Sequence, residues 1–82
     1  WHVYILKSLK FGRYYIGSTG DLDSRVSFHN SPKARWTKRF QPWSSIHSEA
    51  YETRAEAMRR EKYLKSLKGI GRYIERIKAG AM

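Results

Sequence analysis

The sequence predicts an α+β fold, a small three-stranded antiparallel sheet flanked by helices in the order β-β-α-β-α-α. Three observations carry this. Two short strand-like runs, HVYILK (2–7) and RYYIGST (13–19), sit either side of a glycine-containing turn. Two helix starts are marked by capping residues, Asp21 and Thr53. The second half then turns to strong helix formers. At 82 residues the chain is read as one domain, residues 1–82, with room for one modest core.

The first two runs are rich in Val, Ile, Tyr and Thr, which suit a pleated, half-buried surface. The turn LKFG (9–12) joins them into a hairpin. An even loop would put Tyr4 and Tyr15 on one sheet face and Tyr14 on the other. Gly20 breaks the strand, and Asp21 can accept hydrogen bonds from the free N–H groups of a helix running to about His29. In that helix Leu22, Arg25, Val26 and His29 follow i, i+3, i+4, i+7 spacing and share a face. Pro32 pushes the residue before it out of helical geometry and ends the helix.

Residues 33–43 are basic and aromatic and read as a loop with a short helical turn. WSSIHSEAY (43–51) alternates loosely and is the third strand. Thr53 with Glu56 three residues on makes a capping box for a helix over 54–67. Glycines 69 and 71 interrupt it, and a last helix covers 72–79. Ala57, Met58 and Leu64 mark the buried stripe of the longer helix. Glu61 falls inside that arc, where a carboxylate needs an ion-pair partner or a metal.

Charge bounds the function classes. Seventeen Lys and Arg against seven Asp and Glu give +10. That one-sided balance points to a polyanionic partner, nucleic acid ahead of an acidic membrane surface. With no cysteine, the chain has neither disulfides nor thiolate metal sites, which fits a cytoplasmic location. No apolar run is long enough to span a membrane, and no secretory leader is expected.

Several polar residues fall where chemistry could sit. Arg25 suits bidentate contact with a phosphate, and His29, one turn on, titrates near neutrality. Tyr4, Tyr15-Ile16-Gly17, Arg25, His29 and Glu61 together, in this order, resemble the GIY-YIG nuclease domain over almost the whole chain. HVYILKS stands for the first half of the motif and YYIGST for the second. RVSFHN supplies the Arg and His, and AMRREKYLKSLK supplies the Glu. ARWTKRFQPW resembles the Thr-Lys and Pro-Trp of small stand-alone members, which are similar to the N-terminal nuclease of a nucleotide-excision-repair subunit. His2 and Val3 replace the Gly and Ile of the first half. Ser18 stands where repair subunits have Lys, and no Asn follows Asn30.

The resemblance implies a phosphodiesterase with one divalent metal, Mg2+ or Mn2+, held mainly by Glu61. Tyr4 would help activate the attacking water. Tyr15 and Arg25 would position the phosphate, and His29 would accept or relay a proton. It implies a DNA endonuclease with little sequence readout, in repair or processing. A nucleic-acid-binding module with weak or no catalysis is the second reading. Seven carboxylates without a tight cluster suit one metal rather than two. Lys33, Arg35, Lys38 and Arg39 are expected to track phosphates, with DNA ahead of RNA. Trp36 would either stack on a base or cap the core. Gly17, lacking a side chain, is expected to admit substrate or metal close to the backbone. His2 is read as facing away from Tyr4 and, like His47, as structural or exposed.

Overall fold

The computed structural model describes residues 1–67 and 69–80, with side chains as far as residue 76. The elements are β1 (His2–Ser8), β2 (Tyr14–Thr19), α1 (Leu22–His29), a 3-10 turn (Thr37–Phe40), β3 (Trp43–Ala50), α2 (Arg54–Ser66) and α3 (Ile70–Gly80). The sheet is antiparallel throughout, in the order β2-β1-β3. This is the expected α+β architecture.

β1 is central and covered on both sides, which is why its apolar run is nearly unbroken: Val3, Tyr4, Ile5 and Leu6 are all buried. Val3 and Ile5 face Ala57, Leu64 and Ile74 of α2 and α3. Tyr4 and Leu6 face Trp43, with Leu22 and Val26 of α1 against them. The sheet thus separates two small cores, and α1 covers one face while α2 and α3 cover the other.

The helix starts follow the sequence signals. Asp21 accepts from Ser24 N at 3.2 Å, and Thr53 accepts from Glu56 N at 3.2 Å. Three details differ from expectation. Met58 is half exposed, because one residue beyond Ala57 is a 100° turn of the helix; Ala57, Glu61 and Leu64 share the inner face instead. α3 begins at Ile70, directly after Gly69 at φ +76, leaving Gly71 inside the helix. His2 shares the Tyr4 face, because residues two apart on a strand point the same way.

One polar cluster pins the α2 side. Glu49 on β3 accepts from Arg60 Nε at 2.8 Å and Nη2 at 3.2 Å, from Tyr51 Oη at 2.7 Å, and pairs with His47 Nε2 at 2.8 Å. Arg60 also reaches the Tyr73 hydroxyl, so one guanidinium joins β3, α2 and α3. Burial pushes the Glu49 carboxyl up, but the Arg60, His47 and Tyr51 hydrogen bonds outweigh it and hold it at about 2 against 4.5. A depressed carboxylate contributes stability above its unfolded value and loses it as pH falls. Glu49→Gln should therefore cost about 2 kcal/mol at neutral pH, after allowance for its solvent-facing side, and the difference should fade between pH 4.5 and about 2. Denaturant unfolding of both proteins across that range checks it.

Candidate active site

The hairpin register pairs Tyr4 with Gly17 and Leu6 with Tyr15, so the two tyrosines lie diagonally on one sheet face. Their rings stack with centroids 6.2 Å apart. Tyr14 points to the other face, against the α2–α3 core, as alternation requires. A Cβ on Gly17 would stand 2.5 Å from Tyr4 Oη and 2.7 Å from its Cζ. The space over Gly17, expected to admit substrate, is filled by the Tyr4 phenol itself. Glycine is needed here because a cross-strand partner ring lies flat over the backbone.

α1 delivers His29 beneath these rings. Leu22 and Val26 seat the helix on the core, and its end is clamped: Gln41 Nε2 donates to His29 O at 2.9 Å, and Asn30 bridges both backbone groups of Trp43. The buried imidazole contacts Tyr4 Oη through Nε2 at 3.1 Å and Thr37 Oγ1 through Nδ1 at 3.0 Å. It also lies 4.5 Å from the Tyr15 ring. Burial and the nearby Arg25 charge lower the His29 pKa, so the ring is neutral at pH 7. Burial, with Tyr15 and Glu61 adding to it and Arg25 opposing, raises the Tyr4 pKa, so the phenol is protonated. With those states, Tyr4 O–H donates to Nε2 and Nδ1–H donates to Thr37 Oγ1, so both ring nitrogens have partners.

Arg25, one turn before His29, is exposed. It borders a concavity of about 200 Å3 with Tyr15, Phe28, His29, Arg35 and Trp36. Four predicted residues, Tyr4, Tyr15, Arg25 and His29, are thus brought together. Trp36 is 48 % exposed, so it does not cap the core. Trp43 does, donating its indole N–H to Thr37 O at 2.7 Å. Arg35 lines the rim, whereas Lys33, Lys38 and Arg39 stand exposed on the same segment outside the concavity.

Glu61 comes from the opposite side of the sheet, on α2. Lys65 Nζ lies 2.6 Å from its carboxylate. Burial pushes the Glu61 carboxyl up, but Lys65 and the Ser18 hydroxyl together pull it below the ordinary value, so it is ionised. Its charge is felt at Tyr4. Among the described residues no three His, Cys, Asp or Glu cluster as a metal cage. One ionised, partly open carboxylate fits a hard divalent cation that keeps most of its waters and takes phosphate oxygens from substrate. It does not fit a metal that needs an all-protein shell.

Thr37, not singled out in the sequence, meets the His29 ring. Its signal was present in the Thr-Lys pair of the basic segment, but only the fold shows that its hydroxyl fixes the His29 ring. Ser18, on the edge strand β2, pairs with Val3 and so lies on the α2 side, where it helps to lower the Glu61 pKa, and not on the tyrosine face.

Comparison with known proteins shows which family the chain belongs to. The model of the GIY-YIG catalytic domain matches residues 1–73. A UPF0213 protein of Halobacterium salinarum is 39% identical over 67 residues, covering 80% of this chain and 86% of that one. The UPF0213 protein YazA of Bacillus subtilis is 39% identical over 67 residues, covering 80% and 68%. The solution NMR structure of the UPF0213 protein BH0048 from Bacillus halodurans superposes with a TM-score of 0.55 at 35% identity, over 95% of this chain and 81% of that one. With the motif tyrosines, Arg25 and His29 converging as they do, the chain belongs to the GIY-YIG nuclease family.

Proposed function

We propose that this chain is a metal-dependent endonuclease that hydrolyses DNA phosphodiester bonds with little sequence specificity, in repair or processing. The observation that carries this reading is the buried Tyr4–His29–Thr37 chain beside Arg25. A standing tyrosinate is not available, because burial keeps the Tyr4 phenol protonated. Tyr4 can instead take a proton from the attacking water while passing its own to neutral His29, whose orientation Thr37 holds. As water adds to phosphorus, the P–O bond to the leaving nucleoside breaks and that oxygen is protonated from solvent. Arg25 and the Tyr15 hydroxyl hold the non-bridging oxygens and offset the charge that develops on them. Glu61 would hold a divalent cation, which would supply Lewis-acid stabilisation of the charge developing on the phosphate.

Two observations favour the second reading, a nucleic-acid-binding module with weak catalysis. Tyr4 is only 2 % exposed, and Lys65 already holds the Glu61 carboxylate. The two readings separate on a panel of single-stranded, duplex and branched DNA incubated with Mg2+ or Mn2+ or with chelator. The nuclease reading expects metal-dependent cuts scattered over sequence. Binding without turnover on any substrate would leave the module.

No helix among the described residues is long and apolar enough to cross a membrane.

A further inference from the structure

We propose that single-stranded nucleic acid is guided to the site along an aromatic ridge that runs from Tyr15 to the tip of the β1–β2 hairpin. The proposal rests on the nuclease reading only for what happens where the strand arrives.

The ridge is a chain of rings. Tyr15 lies 6.4 Å from Trp36, Trp36 lies 5.1 Å from Phe40, and Phe40 lies 5.6 Å from Phe11. Phe11 is 55 % exposed and its neighbour Leu9 is 64 % exposed, so both leave apolar surface in water that no core uses. The tip is held in place. Ser8 Oγ donates to Phe40 O at 2.7 Å and accepts from Phe11 N at 3.0 Å, and Leu9 N donates to Pro42 O at 3.0 Å. Gly12, at φ +65, closes the turn. A pinned hairpin presenting the exposed Phe11 ring and Leu9, next to half-buried Phe40 and exposed Trp36, is a preformed surface.

Charge says what covers it. The Arg13 guanidinium sits 4.5 Å over the Phe40 ring. Lys10, Arg35 and Arg39 adjoin Phe11, Trp36 and Phe40 in sequence, Lys38 lies between the last two, and all four are exposed. No Asp or Glu occurs in residues 8–13 or 31–42. Rings interleaved with cations suit a chain of bases joined by phosphates.

Spacing selects the single strand. The centroids are 5.1–6.4 Å apart, whereas bases in B-DNA repeat every ~3.4 Å along a strand. A strand laid on the ridge must be extended and unstacked. A duplex keeps its base faces hidden and could offer the cations only its phosphates.

The test is fluorescence anisotropy of labelled oligo-dT, oligo-U and a hairpin duplex, with chelator present so that no cleavage runs. The wild type should bind a single strand at least about tenfold tighter than duplex. The dT and U arms separate DNA from RNA. Phe11→Ala and Trp36→Ala should each weaken single-strand binding by about tenfold and leave duplex binding unchanged, while Trp36→Phe keeps near wild-type affinity. Melting curves show whether each variant is folded. A second readout needs no alanine variant: oligo-dT should quench tryptophan emission in the wild type, and Trp36→Phe should lose that quench. Equal or tighter binding of duplex, or undiminished single-strand binding by folded Phe11→Ala and Trp36→Ala, overturns the proposal. Because binding is read without metal, a poor nuclease could still pass and an active one could still fail.

Discussion

Glu61→Ala should lower the cleavage rate by about 10²–10⁴-fold and leave the melting temperature nearly unchanged. The combination follows from where the carboxylate sits. It shares the inner face of α2 with Ala57 and Leu64, yet its partner is Lys65, an i,i+4 neighbour that is itself 54% exposed. Such a pair contributes at most about 0.5 kcal/mol. If Glu61 serves only that pair, its loss costs little of anything. If it holds a cation against the substrate phosphate, several kcal/mol of transition-state stabilisation go with it. Lys65→Ala separates the roles further, since freeing the carboxylate should lower the metal concentration needed for half-maximal rate.

Tyr4→Phe should reduce the rate by about 10²–10⁴-fold, the range for loss of a positioned proton carrier. The ring and its stacking on Tyr15 remain, but His29 Nε2 loses its partner, at a cost of about 1–3 kcal/mol. The pH–rate profile carries the diagnostic sign. His29 must be neutral to accept a proton, and burial with Arg25 places its pKa below 6.5. Wild-type activity should therefore fall as pH drops through that lowered value and stay level across neutrality. The phenol, raised by burial, should impose no alkaline limb within the ordinary tyrosine range. Residual activity in Tyr4→Phe should not show the His29 limb, because the relay that needs it is gone. Rates from pH 5 to about 9 for both proteins decide it.

The parts of the molecule governed by local rules were legible in the sequence. Strand alternation separated Tyr14 from Tyr15, and both did go to opposite faces. Asp21 and Thr53 announced their helices because a cap acts over three residues. Met58 misled because methionine suits an inner or an outer position equally, and only the orientation of α2 against the sheet decides. Two glycines close together read as one break over 69–71, but Gly71 lies inside α3, which starts at Ile70. The Thr37–His29 contact spans eight residues and depends on how the basic segment folds back. Glu49 with Arg60, and Phe40 with Phe11, are meetings of separate elements that no window along the sequence contains. Gly17 was singled out as a place where something approaches the backbone, and the occupant is the protein's own Tyr4.

We propose that Glu61 and the tyrosine–histidine cluster form one phosphodiesterase site served by one cation. The most direct test is the rate of oligonucleotide cleavage as Mn2+ is titrated into chelator-stripped protein. The expected result is silence without metal and a rate that rises and saturates with single-ion dependence. Undiminished cleavage in chelator, or no cleavage at any metal concentration, would contradict it.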